Sequence, residues 1–339
     1  MKILLIGGAG FIGHHLALQL KKEKHEVTVI DGLQVNNFLS LMHDLKGNEM
    51  HLGFLRERFQ LLHDAEIPLI VQDARDYHKM SRLMSNIRPD IVIHLAAVAH
   101  ANRSNKDPYS TFDHSLQTLE IALDVAKSPA LKGCVKQFIY FSSSMVYGNF
   151  PEGEGSVAPP QVTERSLLNP LGIYGALKNA GELMVRAYHQ VFNLPYTIIR
   201  PSALYGPRCI SGRVVQKFIE NAIAGKPLSI MGDGEDMLDF TYIDHLVHGV
   251  VGSVADYMAL NETFNITYGQ ARSIGDLAKI VKSRFPHVEI NRVPRDKLMP
   301  VRGTLVVDKA RRLLGYDPQW PIEAGVIKYM DWWVNNESG

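Results

Sequence analysis

Lys2-Ile-Leu-Leu-Ile6-Gly7-Gly-Ala-Gly10-Phe11-Ile12-Gly13 opens with a short apolar run that ends in clustered glycines, and Leu16, Leu18 and Leu20 begin a helical stretch after it. The order is strand, tight loop, helix. Glycine is needed because such a turn presents backbone N–H groups at a helix N-terminus to a pyrophosphate, with no Cβ in the way. The next apolar run, Val27-Thr-Val-Ile30, ends at Asp31, eighteen residues beyond Gly13. A carboxylate at that distance meets the hydroxyls of an adenosine ribose. The stretch therefore reads as a dinucleotide site, with Asp31 favouring NAD over NADP.

The same grammar continues in Leu69-Ile-Val-Gln-Asp73, Asp90-Ile-Val-Ile-His94-Leu95-Ala96-Ala97 and Gln137-Phe-Ile-Tyr-Phe-Ser142, each preceded by helical periodicity. Continuously apolar strands alternating with helices predict a Rossmann-type, doubly wound α/β fold with a parallel sheet. Ligands in such sheets sit beyond the strand C-termini. Gly7 to Gly13, Asp31, Asp73, Ala96, Ala97 and Ser142, Ser143 and Ser144 should then line one crevice. Asp73 either accepts from an adenine amino group or caps the helix that follows. Residues 33–68 are long for a connection, and Leu52, Leu55, Phe59 and Leu62 recur at helical spacing with Arg56, Glu57 and Arg58 between them. One or two added helices are expected there, covering the adenosine end, forming a subunit contact or simply packing.

Tyr174 and Lys178 lie four apart in Gly172-Ile-Tyr-Gly-Ala-Leu-Lys178, which puts both on one helix face. An ammonium beside a phenol favours the phenolate, making Tyr174 a candidate acid/base.

The chain has 339 residues, 46% hydrophobic and 21% charged, enough for one large or two modest cores. Lys plus Arg total 36 against 35 Asp plus Glu, so no basic surplus invites nucleic acid. Cys134 and Cys209 are the only cysteines, which fits a reducing cytosol and a cytoplasmic protein. His14, His15, His94 and His100 lack companions at metal-site spacing and read as packing or solvated residues; no metal is expected. The glycines interrupt the N-terminal apolar run before it can act as a signal peptide, and no run reaches transmembrane length.

Together, Gly7-x-x-Gly10-x-x-Gly13, Asp31, His94-Leu-Ala-Ala97, Ser142-Ser-Ser-Met-Val-Tyr-Gly148, Tyr174-x-x-x-Lys178, Arg200-Pro-Ser-Ala-Leu-Tyr-Gly-Pro207 and Asp239-Phe-Thr-Tyr-Ile-Asp244 resemble the extended short-chain dehydrogenase/reductases. Within them the chain is similar to the nucleotide-sugar epimerase/dehydratase group, typified by UDP-glucose 4-epimerase. The resemblance implies an NAD-binding domain over residues 1–180, rejoined by about 236–265, and a smaller C-terminal α/β substrate domain, mainly 181–339. It implies NAD held by Gly7, Gly10, Phe11, Ile12, Gly13, Asp31, Asp73, Ala74, Leu95, Ala96, Ala97, Ser142, Tyr174, Lys178 and Pro201. It implies catalysis by Ser143, Tyr174 and Lys178: a sugar hydroxyl gives its proton to Tyr174, Ser143 hydrogen-bonds the reacting oxygen, and Lys178 lowers the phenol pKa and holds the nicotinamide ribose. A nucleotide-sugar substrate would meet Ser144, Arg208, Arg213 and Arg302, and the protein would be a homodimer.

The chain also departs from its group. Dehydratases carry an Asp-Glu pair where this chain has Ser144-Met145, and decarboxylases a Glu in place of Met145. Cys209 lies away from the cysteine position of 3,5-epimerases and has no catalytic role. The usual clamp arginine before Asp239-Phe240 is missing, and the usual asparagine is Ala203. What remains is redox at one carbon: 4-epimerisation through a transient 4-keto sugar. A net sugar reductase or dehydrogenase and a non-catalytic nucleotide sensor are the alternatives. Val214, Val215, Phe218, Ile219 and Ile223 predict a helix after Gly212-Arg213. Pro151 to Pro160 read as a lid or an inert loop, and Trp320, Trp332 and Trp333 as a C-terminal packing helix.

Overall fold

The computed structural model describes residues 1–42, 44–99, 101–151, 160–296 and 298–337. The lid expected at Pro151 to Pro160, apart from its two end residues, and His100 fall outside them.

Seven parallel strands form the central sheet: β1 (Lys2–Ile6), β2 (Glu26–Asp31), β3 (Leu69–Val71), β4 (Ile91–His94), β5 (Gln137–Phe141), β6 (Tyr196–Arg200) and β7 (Glu262–Asn265). Their order is β7-β6-β5-β4-β1-β2-β3, so the chain changes direction across the sheet between β1 and β4. The register there pairs Ile6 with Ile30 on one side and with His94 on the other. Alternate residues of β1 serve two cores, Ile3 and Leu5 in one and Leu4 and Ile6 in the other, which is why the strand reads as unbroken apolar sequence.

On the first face lie α1 (Phe11–Lys22) and α2 (Glu49–Asp64); Leu16, Leu20, Phe54, Leu55 and Leu62 join the core of Ile3 and Leu5. The stretch after β2 thus holds two added helices, a short one at Phe38–Leu41 and α2. The opposite face carries α3 (Gly172–Phe192), whose Val185 packs with Tyr140 and Ile198. Beyond β6, α4 (Val214–Ile223) starts directly after Arg213, as the apolar spacing predicts. Leu228–Met231 pairs in parallel with Ile290–Val293, and Met237–Leu238 in antiparallel with Arg272–Ser273. The last helix, α5 (Ile322–Glu337), sets Trp332 and Trp333 against Phe54 at 4.9 and 5.0 Å between ring centroids.

Two expectations change. Asp73 does not cap the following helix; Asp76 does, accepting from the Lys79 N–H, because the helix begins only at Tyr77. Trp320 lies outside α5 and is exposed, its backbone N–H donating to His245 at 3.0 Å. Among the described residues no helix is long and apolar enough to cross a membrane.

Candidate active site

The loop after β1 is shaped by closeness to the start of the segment after β4. Gly7 has φ +81°, and a Cβ there would lie 2.6 Å from the Ala96 nitrogen. No side chain fits. Gly10 caps α1 without a side chain, so the N–H groups of the first turn, which no helix can satisfy internally, are left for a ligand. At the end of β2 the Asp31 carboxylate accepts from the N–H of Ala9 at 3.0 Å and of Leu33 at 2.7 Å. Burial pushes its pKa up, against those two hydrogen bonds. Gly7, Gly10, Phe11, Ile12, Gly13, Asp31, Asp73, Ala74, Leu95, Ala96 and Ala97 all line one cavity of about 140 Å³. The Asp73 carboxylate there is held by Arg75 at 2.6 Å and Gln34 at 3.1 Å. A helix start without a side-chain cap, a glycine loop and a carboxylate at the end of β2 suit NAD.

A second cavity, of about 460 Å³, shares Ile12, Leu95, Ala97 and Arg213 with the first. Ser142, Ser143, Ser144, Tyr174, Lys178, Pro201 and Arg302 line it. Tyr174 and Ser143 meet because α3 runs close to the 3-10 turn Ser144–Tyr147: a Cβ on Gly175 would lie 2.7 Å from the Met145 carbonyl oxygen. Ser143 caps that turn, accepting from the Met145 N–H at 3.2 Å, and lines the same cavity wall as the Tyr174 phenol. Burial pushes the phenol pKa up; the Arg213 charge and Ser143 pull against it. That direction is opposite to the lowering expected from Lys178. The reason is the burial of the phenol; Lys178, whose ammonium donates to the Phe141 carbonyl at 2.6 Å, is itself buried, which brings its own pKa down to about 7, opposed by Glu182.

Glu182 anchors this corner. Its carboxylate accepts from Ser142 at 2.6 Å and from Arg200 at 2.7 and 2.8 Å. Burial favours its neutral form, but Arg200 and Ser142 outweigh that and its pKa is lowered. Sequence reading missed it, although its place one turn after Lys178 on the same face was a signal.

Toward substrate, Arg302 reaches Met145 Sδ at 3.9 Å, and burial brings its pKa down to about 10. Leu238 lines the cavity where the group's clamp arginine is missing, and Asp236 beside it is held by Arg295 at 2.9 and 3.0 Å. Arg208 lines neither cavity: its backbone turns through φ +61°, and its guanidinium is taken by Glu57 at 2.7 Å and His14 at 3.0 Å. Arg58 of α2, unremarked as a site residue from sequence, lines the first cavity. Its place between Leu55 and Leu62 on an apolar helix face was the available hint. Among the described residues no cluster of His, Cys, Asp and Glu could hold a metal ion.

The family model for the NAD dependent epimerase/dehydratase family matches residues 3–267. The chain is 29% identical to an uncharacterized UDP-glucose epimerase, YtcB, of Bacillus subtilis, over 96% of each chain. It is 28% identical to a dTDP-glucose 4,6-dehydratase of Shigella flexneri, over 99% of this chain and 93% of the relative. Among solved structures it superposes on a UDP-glucuronic acid 4-epimerase of Bacillus cereus, in complex with UDP-glucuronic acid and NAD, with a TM-score of 0.85 and 27% identity over 99% of this chain and 100% of that one. Carrying the glycine loop, the Asp31 carboxylate and the tyrosine-lysine helix in one connected cleft, this NAD-dependent enzyme of the short-chain dehydrogenase/reductase type belongs to the NAD dependent epimerase/dehydratase family.

Proposed function

We propose that the protein is a nucleotide-sugar 4-epimerase that oxidises and re-reduces one sugar carbon through a transient 4-keto intermediate. The observation that carries this reading is the meeting of Ser143 and Tyr174 beside Lys178 at a cavity wall completed by Ser144 and Met145. A hydroxyl and a thioether cannot serve as the acid and base that eliminate water, so dehydratase chemistry has no groups there. NAD, when bound, would supply a reversible hydride acceptor for the reacting carbon. Tyr174 takes the O4 proton and returns it, Ser143 holds that oxygen, and Lys178 stabilises the phenolate and holds the ribose. Arg213 and Arg302 take the diphosphate charge, and Asp73 faces the adenine.

The homodimer implied by the resemblance finds support in the exposed apolar side chains Leu183, Val191 and Phe192 of α3, against which Pro108–Phe112 packs with Tyr109 and Phe112 also exposed. The free thiols Cys134 and Cys209 fit the cytoplasm.

The test is to incubate purified protein with UDP- and dTDP-hexoses and UDP-hexuronic acids without added cofactor. The expected outcome is a C4 epimer with no stoichiometric NADH. NADH formed in proportion to product would establish net oxidation instead, and no product with any sugar would favour a sensor.

A further inference from the structure

The second inserted helix, α2, reaches the nucleotide groove through Arg58, beside Gln34, Val35 and Asn36 of the segment before it. Arg58 stands on the apolar face of α2, and none of its surface is exposed. Its Nη2 donates to the Arg208 carbonyl oxygen. Among the described residues its Nε and Nη1, both buried, have no hydrogen-bond partner. A guanidinium cannot shed its proton at neutral pH, so these two nitrogens carry unspent donors and an uncompensated share of charge.

Among the described residues no carboxylate forms an ion pair with Arg58; Asp31 favours the guanidinium only through space. Arg208, His14 and His15 crowd the same corner, and both Asp31 oxygens already accept backbone N–H groups, with no ion pair between Asp31 and Arg58. Burial brings the Arg58 pKa down to about 10, outweighing Cys209 and Asp31, which act the other way. For packing alone, a methionine or leucine would serve better among Leu55, Phe59 and Leu62. What Arg58 does have is a place in the wall of the cavity formed by Gly10, Phe11, Ile12 and Asp31.

We propose that Arg58 is a cofactor-binding residue whose Nε and Nη1 donate to a phosphate in the adenosine half of the bound dinucleotide. The second inserted helix is then part of the NAD site. The proposal requires only dinucleotide binding, so it stands or falls separately from the 4-epimerase reading.

Binding of NAD⁺, ADP-ribose, AMP and adenosine to wild type, Arg58→Met and Arg58→Lys, measured by calorimetry alongside thermal unfolding without ligand, tests it. In Arg58→Met the three phosphorylated ligands should weaken roughly ten- to a hundredfold, while adenosine stays within about twofold. Arg58→Lys, which keeps the charge, should fall between the two. Ligand-free Arg58→Met should melt no lower than wild type, since it relieves an unpaired buried cation. Unchanged affinity for all four ligands, or an equal loss for adenosine and the phosphorylated ligands, would overturn the proposal. So would an Arg58→Met protein that melts well below wild type, because the guanidinium would then be holding the fold.

Discussion

Lys178 and Glu182 lie one turn apart on the buried face of α3, and the Glu182 carboxylate works against the burial that brings the Lys178 ammonium down to about 7. Glu182 in turn stays ionised because Arg200 and Ser142 hold its oxygens. The charge that the phenolate of Tyr174 would need is thus set by a carboxylate that lines neither cavity.

Glu182→Gln removes the charge that raises the Lys178 pKa. Lys178 should lose its proton at lower pH, and the alkaline limb of the pH–rate profile should move down. Breaking the buried pair with Arg200 should also cost about 3–5 kcal/mol in urea unfolding. An unshifted alkaline limb would separate Glu182 from Lys178.

Lys178 also makes stability depend on pH. Unfolded, a lysine titrates near ~10.4; folded, Lys178 titrates near about 7. Below the lower value the fold carries the whole burden of a buried cation, and above the upper value it carries none. Lys178→Met should therefore be more stable than wild type under acidic conditions, with the advantage shrinking as pH rises between those values. Urea titrations across that range check the trend, and a difference that grows with pH would contradict it.

Gly175→Ala puts a methyl against the Met145 carbonyl, 2.7 Å away in the present geometry. The helix must back off the 3-10 turn and part Tyr174 from Ser143. With the fold intact by circular dichroism, turnover should fall about a hundredfold while NAD binding is retained. Unchanged turnover would show that the Ser143–Tyr174 contact is dispensable.

What could be read from sequence was local. The β1–loop–α1 unit, Asp31 and the Tyr174–Lys178 face rest on spacings within a few turns of one another, and α4 rests on an apolar period. What could not be read was set by long-range packing. Arg200 reaches Glu182 of α3 from the end of β6, and Arg208 is turned by a left-handed backbone into Glu57 and His14. The Tyr174 pKa rises because of burial, which is a property of the assembled cleft and not of the Tyr-x-x-x-Lys spacing. Glu262–Asn265 takes its place beside β6 across more than sixty intervening residues, and only the resemblance, which has about 236–265 rejoin the NAD-binding domain, points there.

Arg302 carries its charge at the cavity wall with Met145 Sδ 3.9 Å away. Arg302→Met should weaken UDP binding roughly tenfold or more, as expected for loss of a charge-assisted hydrogen bond, and leave NAD binding unchanged. Calorimetry with each ligand reads both. Equal UDP affinity in the two proteins would remove Arg302 from the substrate site.

The most direct test of hydride transfer out and back at one carbon is to run the reaction in D₂O without added cofactor and read the product by NMR. The expected product is the C4 epimer with ordinary hydrogen at C4, because the hydride never exchanges with water. Deuterium at C4 or C5, or a 4-keto-6-deoxy product, would contradict it.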